Sequence, residues 1–91
     1  MSLLAVSIEI QGKVQGVWYR ASAREEAHKL GLNGFVKNQQ DGSVFIEVCG
    51  ENDQVEQLIN WCLKGPEHAL VTELRIKKIE PFHSDKFEII K

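Results

Sequence analysis

The sequence predicts an α+β fold in which a mainly antiparallel sheet carries two helices on one face, in the order β-α-β-β-α-β with a short final strand. Apolar and polar residues alternate in segments 4–10 and 43–49, which is the two-residue period of half-buried strands. Apolar residues recur at helical spacing in segments 23–30 and 55–62. Asp41-Gly42, between two of the strands, is typical of a hairpin turn.

The first strand, over residues 4–10, is followed by a glycine-punctuated loop over residues 12–17 and then by a helix. We predict that this helix runs from about Ser22 to Leu30, because Ser22 and Glu25 have the spacing of a capping box. Gly31 fits the position just beyond a helix, with Leu32 folding back onto its last turn.

The second strand is predicted over residues 34–40, and the Asp41-Gly42 turn follows because both residues tolerate positive φ. The third strand comes directly after that turn. Its inward face would hold Val44, Ile46 and Val48, and its outward face Ser43, Phe45, Glu47 and Cys49.

The second helix would be capped by Asn52 or Asp53 and would end at Gly65-Pro66. Its inner face would hold Val55, Leu58, Ile59 and Cys62. A fourth strand is predicted within residues 70–79 and a fifth at Phe87-Glu88-Ile89. Two right-handed β-α-β units that share one sheet make a ferredoxin-like sandwich. We expect residues 1–91 to form a single domain of this kind.

Composition argues against several classes of protein. The net charge is −2, whereas general nucleic-acid binders are usually basic. The sequence has no apolar run of ~20 residues and no basic segment at its start, so we expect no membrane span, no signal peptide and a cytoplasmic location. Cys49 and Cys62 form no C-x-x-C pattern, and we interpret them as buried free thiols, with a disulfide as the alternative.

The loop from Gln15 to Arg20 is the first candidate site. Its glycine spacing matches neither a Walker A motif nor a dinucleotide fingerprint. A glycine-bearing loop that leads into a helix can nevertheless point consecutive backbone N–H groups at one anion. Arg20 would add a guanidinium suited to bidentate phosphate binding. A surface arginine after an ordinary β-α turn is the alternative.

Asn38, late in the second strand, is the other candidate, because an amide can hold a water while donating to a phosphate oxygen. An ordinary polar residue near a strand end is the alternative. His28, His68 and His83 are isolated in sequence, and neither a Ser-His-Asp arrangement nor a spaced acid pair is evident.

Together these segments carry a resemblance. The run Gly12-Lys13-Val14-Gln15-Gly16-Val17-Trp18-Tyr19-Arg20 resembles the signature of the acylphosphatase family. The second family motif is similar to Gly34-Phe35-Val36-Lys37-Asn38 followed by Asp41-Gly42-Ser43-Val44, and Gly65-Pro66 and Phe87-Glu88-Ile89 also fit the family pattern. The resemblance covers essentially the whole chain. Lys13 stands where the family often has arginine, and Ala21-Ser22-Ala23 replaces bulkier residues.

The resemblance implies an enzyme that hydrolyses acyl phosphates to a carboxylate and inorganic phosphate, with no cofactor and no metal. It implies that Arg20 binds the phosphate and that Asn38 positions the catalytic water. The cradle for substrate phosphate, or for inorganic phosphate or sulfate, would be the backbone amides of Gln15, Gly16, Val17, Trp18, Tyr19 and Arg20. We expect a monomer with a small-molecule substrate and no nucleic-acid or membrane partner.

Two alternatives use the same fold. A non-catalytic module could sense anions or bind RNA, although the acidic charge and the missing RNA-binding aromatic motif argue against RNA. A metal-carrying domain of this fold would need the C-x-x-C pattern that this sequence lacks.

Overall fold

A computed structural model describes residues 2–91, which form a five-stranded sheet and two helices. The elements are β1 (Leu3–Lys13), α1 (Tyr19–Lys29), β2 (Asn33–Asn38), β3 (Val44–Glu51), α2 (Asn52–Lys64), β4 (Leu70–Lys78) and β5 (Phe87–Ile90). The strand order is β4-β1-β3-β2-β5. Within residues 2–91 the β2–β5 pair is parallel and the other three strand pairs are antiparallel. The predicted ferredoxin-like α+β architecture is therefore confirmed.

One face of the sheet and the inner faces of both helices share a single hydrophobic core. The sheet contributes the residues that alternation placed inward, and each helix contributes one stripe, as amphipathic helices do. The fully buried members include Ile8, Ile10, Val44, Ile46 and Val48 from the sheet, Ala23 and Ala27 from α1, and Val55, Leu58 and Cys62 from α2. Burial of each large aliphatic side chain stabilises the fold by about 1.5–3 kcal/mol.

Helix α1 begins at Tyr19, earlier than predicted, and the predicted capping box of Ser22 and Glu25 is wrong. The residue at the N-cap is Trp18, whose backbone is left-handed (φ 66°, ψ 20°) and whose side chain makes no capping bond. The N–H of Ser22 already donates to the carbonyl of Trp18 at 3.0 Å, so Ser22 lies inside the helix. Tyr19 and Arg20 consequently occupy the first helical turn.

The end of α1 confirms the prediction made from Gly31. Its φ is +70°, and its N–H donates to the carbonyl of His28 at 3.1 Å. The N–H of Leu32 donates to the carbonyl of Ala27 at 2.9 Å. This pair of bonds is a Schellman motif, and Leu32 is buried against the core.

Helix α2 follows β3 without a loop, and the predicted cap by Asn52 or Asp53 is wrong. The N-cap is Glu51, in extended conformation with no side-chain capping bond, and Asn52 is the first helical residue. A residue before β1 supplies an acceptor at this helix start instead, because the N–H of Asn52 donates to the carbonyl of Ser2 at 3.0 Å. The predicted end at Gly65 is confirmed. The φ of Gly65 is +68°, and its N–H donates to the carbonyl of Trp61 at 2.8 Å.

The hairpin between β2 and β3 differs in detail from the prediction. Strand β2 ends at Asn38, before the predicted Gln40, and only Gly42 of the turn has positive φ. Ser43 and Cys49, predicted on the outward face of this strand, are both buried, and for Cys49 this confirms its interpretation as a buried free thiol. Ser43 is enclosed by hydrogen bonds of the hairpin, and Cys49 pairs with Ala5 of β1. Both cysteines are free.

No helix in residues 2–91 has the length and apolar character needed to cross a membrane.

Candidate functional site

The loop between β1 and α1 presents consecutive backbone N–H groups without backbone partners. Within residues 2–91, none of the N–H groups from Gln15 to Arg20 donates to a backbone carbonyl. Gly16 (φ +74°) and Trp18 (φ +66°) both adopt left-handed conformations, which turn the chain sharply into α1. The first turn of α1 contains no acidic residue. The positive end of the helix dipole is therefore open to an anion.

Tyr19 anchors the start of α1 to the end of α2. Its hydroxyl donates to the carbonyl of Cys62 at 2.8 Å, and its ring lies 5.2 Å from that of Trp61. Gly65 allows this packing, because a Cβ there would lie 2.8 Å from the Tyr19 ring. Burial raises the pKa of the Tyr19 hydroxyl far above its usual range, so the donor proton is retained.

The side chain of Gln15 joins the loop to the β2–β3 hairpin. Its Nε2 donates to the carbonyl of Gln39 at 2.8 Å and to the carbonyl of Ser43 at 3.0 Å. These bonds connect residues 24 and 28 positions apart in sequence. They fix the loop that leads to Arg20 beside the strand end that carries Asn38.

The hairpin is itself held by a polar network around Ser43. Asp41 Oδ1 accepts from the N–H of Ser43 at 3.0 Å and from its hydroxyl at 2.6 Å. Gln39 Nε2 donates to Ser43 Oγ at 2.8 Å and to Glu9 Oε2 of β1 at 3.1 Å. The hydrogen bonds from Ser43 hold the pKa of Asp41 below its usual range, since they favour the ionised carboxylate.

A pocket of about 450 Å³ lies where the loop, the start of α1, the end of β2 and β5 meet. Arg20 is half-buried in its wall and, in the described part of the chain, forms no ion pair. Asn38 is exposed at the last position of β2. The lining residues are Val14, Gly16, Trp18, Tyr19, Arg20, Ala21, Asn38, Ile89 and Lys91.

The structure thus brings most of the sequence-predicted site residues to one pocket. Gly16, Trp18, Tyr19 and Arg20 line it together with Asn38. Gln15 and Val17 do not, since the Gln15 side chain is bonded to the hairpin and Val17 is buried in the core. Any contact of these two residues with an anion would come from their backbone N–H groups.

Sequence reasoning missed the contribution of the last residues, Ile89 and Lys91, to the pocket. Ile89 and Lys91 line the pocket because β5 pairs with β2, where Ile89 lies opposite Val36. The final strand was predicted, but its neighbour in the sheet was not. The bonds of the Gln15 side chain were also missed, and no local pattern signals them.

The pocket offers donors rather than acids or nucleophiles. None of its lining residues is Asp, Glu, His or Cys. Cys62 lies outside it, and burial raises the pKa of the Cys62 thiol to about 12, which keeps it protonated. Across residues 2–91, no group of three or more His, Cys, Asp or Glu could hold a metal ion. Such an arrangement can bind an anion, stabilise negative charge and orient a water.

Comparison with known proteins identifies acylphosphatases as relatives of this chain. The family model for acylphosphatases matches residues 6–89. An acylphosphatase of Aeropyrum pernix is 51% identical over 85 residues, which is 92% of this chain and 83% of the relative. The structure of an acylphosphatase from Coxiella burnetii has a TM-score of 0.93 at 34% identity, covering 97% of this chain and 93% of the other. An acylphosphatase structure from Bacillus subtilis has a TM-score of 0.92 at 29% identity, covering 97% and 99%.

Removal of the Gln15 side chain tests the link between loop and hairpin. We expect Gln15→Ala to lower the free energy of unfolding by about 1–2 kcal/mol, because two hydrogen bonds are lost while both carbonyls keep a backbone donor. Urea unfolding is the measurement. Gln57→Ala is the control, because this substitution removes only an exposed hydrogen bond to Gln54. Its free energy of unfolding should stay within about 0.5 kcal/mol of the wild-type value. Equal effects of the two variants would contradict the link.

The pKa of Asp41 predicts a pH-dependent contribution to stability. Because this pKa is lower in the folded protein, the contribution is complete above the unfolded value of about 3.9 and is lost as pH falls through the folded value. Asp41→Asn should therefore be less stable than the wild type at pH 7, and the difference should shrink towards pH 3. Urea unfolding across this range measures it, with the exposed Asp85→Asn as control. A difference that does not vary with pH would refute the assignment.

Proposed function

The chain belongs to the acylphosphatase family, whose members hydrolyse acyl phosphates, and we propose that the residues of this pocket perform the reaction by in-line attack of a positioned water, without a metal ion. The carboxyl-phosphate bond breaks as water attacks phosphorus, and the products are a carboxylate and inorganic phosphate. The observation that carries this proposal is the meeting of Arg20, the unpaired loop N–H groups and Asn38 at one pocket. Phosphoryl transfer requires mainly positioning and stabilisation of charge, which these groups supply.

Arg20 is proposed to bind the phosphoryl group. Arg20 lines the pocket together with Gly16 and Trp18 of the loop, and no carboxylate of residues 2–91 pairs with its guanidinium. A guanidinium can hold two phosphoryl oxygens at once. Charge that develops on these oxygens in the transition state then meets donors that are already in place.

Asn38 is proposed to hold the attacking water. Its amide lies at the end of β2, in the wall of the same pocket but on a different element from Arg20. This separation suits a water that must approach phosphorus opposite the leaving carboxylate. None of the lining side chains is a carboxylate, an imidazole or a thiol. We therefore propose that a phosphoryl oxygen of the substrate accepts the proton of the water.

The wider setting of this activity is also a proposal. We propose that residues 1–91 act as a single-domain, cytoplasmic monomer, and that inorganic phosphate or sulfate occupies the same cradle. The shared hydrophobic core supports one domain, since it joins both helices to the sheet. The net charge of −2 accords with a small-molecule substrate and with the absence of a nucleic-acid or membrane partner.

The role of Arg20 predicts a large loss of activity on substitution. We expect Arg20→Ala to lower kcat/KM for acetyl phosphate by at least ~10²–10³-fold, since it loses a charge-stabilising donor. Arg20→Lys should also be impaired, because an ammonium cannot reproduce the two-point contact. Arg24→Ala is the matched control, since Arg24 is exposed on α1 and does not line the pocket.

Phosphate binding to the same variants can be measured from their melting temperatures. Phosphate should raise the melting temperature of the wild type and of Arg24→Ala, because an anion that binds only the folded state stabilises it. The rise should be much smaller in Arg20→Ala. Near wild-type activity in Arg20→Lys would contradict bidentate binding, and equal melting shifts in all variants would indicate a general salt effect.

The role of Asn38 predicts a different kinetic signature. If its amide orients water, Asn38→Ala should lower kcat severely, while KM and inhibition by phosphate stay closer to wild type. Asn38→Asp should also be impaired, because a carboxylate repels the phosphoryl group. Steady-state kinetics with acetyl phosphate measures this, and circular dichroism verifies the fold. Asn60→Ala, on the exposed side of α2, is the control. A folded Asn38→Ala that keeps most of its kcat would assign water positioning to another residue.

A further inference from the structure

We propose that the indole of Trp18 forms the binding surface for the acyl group of the substrate and favours acyl phosphates whose acyl group is flat and apolar. The inference rests on the proposed function of the pocket. It concerns the part of the substrate that Arg20 and Asn38 leave unassigned.

The first observation is the exposure of Trp18. Its side chain is 79% exposed, although tryptophan is a large side chain that is mostly buried in folded proteins. Trp61, the other tryptophan, instead packs on the ring of Tyr19. The exposed indole of Trp18 therefore adds little to the stability of the core.

The second observation is the backbone of Trp18. It is the one residue other than glycine with positive φ in residues 2–91. A bulky residue is an outlier in this region, where Gly, Asn and Asp are the usual occupants. The packing of the side chain does not offset this conformational cost, because the side chain is exposed. Strain of this kind is typical of functional sites, where an unfavourable conformation aims a side chain at a ligand.

The third observation is the position of the indole relative to the phosphoryl site. Trp18 lines the same pocket as Arg20 and Asn38 and directly precedes Tyr19 and Arg20 in the chain. The remaining apolar lining comes from Val14, Ala21 and Ile89. With the phosphoryl oxygens on Arg20 and the loop N–H groups, the acyl group extends along these apolar side chains.

An indole face recognises particular acyl groups. Aromatic rings associate with it in offset-stacked or edge-to-face arrangements, whereas an acetyl group is too small to cover it. The wild type should therefore prefer benzoyl phosphate to acetyl phosphate, and the indole should account for part of that preference. The effect is one of substrate selection, since hydrolysis itself depends on Arg20 and Asn38.

The test compares kcat/KM for benzoyl phosphate and acetyl phosphate in the wild type and in two variants. Trp18→Asn removes the ring but suits the left-handed backbone, and Trp18→Phe keeps a ring. We expect the ratio of benzoyl to acetyl kcat/KM to fall about 2- to 10-fold in Trp18→Asn and to be largely retained in Trp18→Phe. Trp61→Phe is the control outside the pocket and should leave the ratio at its wild-type value.

Binding of two inert analogues gives the same comparison in any variant that turns over too slowly. Isothermal titration calorimetry should show that the wild type binds phenylphosphonate more tightly than methylphosphonate. In Trp18→Asn this ratio of affinities should fall in parallel with the kinetic ratio. Equal ratios in the wild type and in Trp18→Asn would overturn the proposal, as would a loss of the same size for both ligands. Failure of the proposed function would look different, since Arg20→Ala would then keep its activity whatever the ratio.

Discussion

Two hydrogen bonds from the side-chain amide of Gln15 join the loop that leads to Arg20 to the hairpin that follows Asn38. The two segments leave the sheet from different strands, β1 and β2, with β3 between them. Neither segment alone encloses the pocket. In-line attack needs the phosphoryl group and the water at a fixed separation, and misplacement by about 1 Å can cost ~10²-fold in rate. The amide of Gln15 therefore sets the geometry on which the site depends.

The two sides of that link are stabilised by different forces. The loop side is anchored through apolar packing, with Val14 and Val17 in the core and Tyr19 against the end of α2. The hairpin side is held by polar groups, chiefly Asp41 and Ser43. Because the backbone N–H groups of the loop have no backbone partner within residues 2–91, the proposed anion site would be formed before a ligand binds. Donors arranged in advance need little reorganisation during the reaction, which is the basis of electrostatic catalysis.

Much of this architecture could be predicted from the sequence, and the starts of the two helices are the main exceptions in secondary structure. Strand alternation placed Val44, Ile46 and Val48 correctly, and Gly31 and Gly65 marked the helix ends because positive φ is required there. Both helix starts were predicted wrongly because a side-chain cap was expected. Helix α1 instead begins after the left-handed backbone of Trp18, and α2 begins directly after the last residue of β3.

The predicted roles of Arg20 and Asn38 came from motif resemblance, since each alone had an ordinary alternative interpretation. The bonds of Gln15 and the position of Ile89 could not be predicted, because they depend on contacts between residues distant in sequence.

The measurement that tests the Gln15 link most directly is a double-mutant cycle on kcat with acetyl phosphate, using Gln15→Ala, Asn38→Ala and the double variant. If Gln15 acts by placing Asn38 against the loop, Gln15→Ala should lower kcat in the wild type but have little further effect once the Asn38 amide is gone. Equal fold reductions in both backgrounds would show that Gln15 and Asn38 act independently, and would contradict this account.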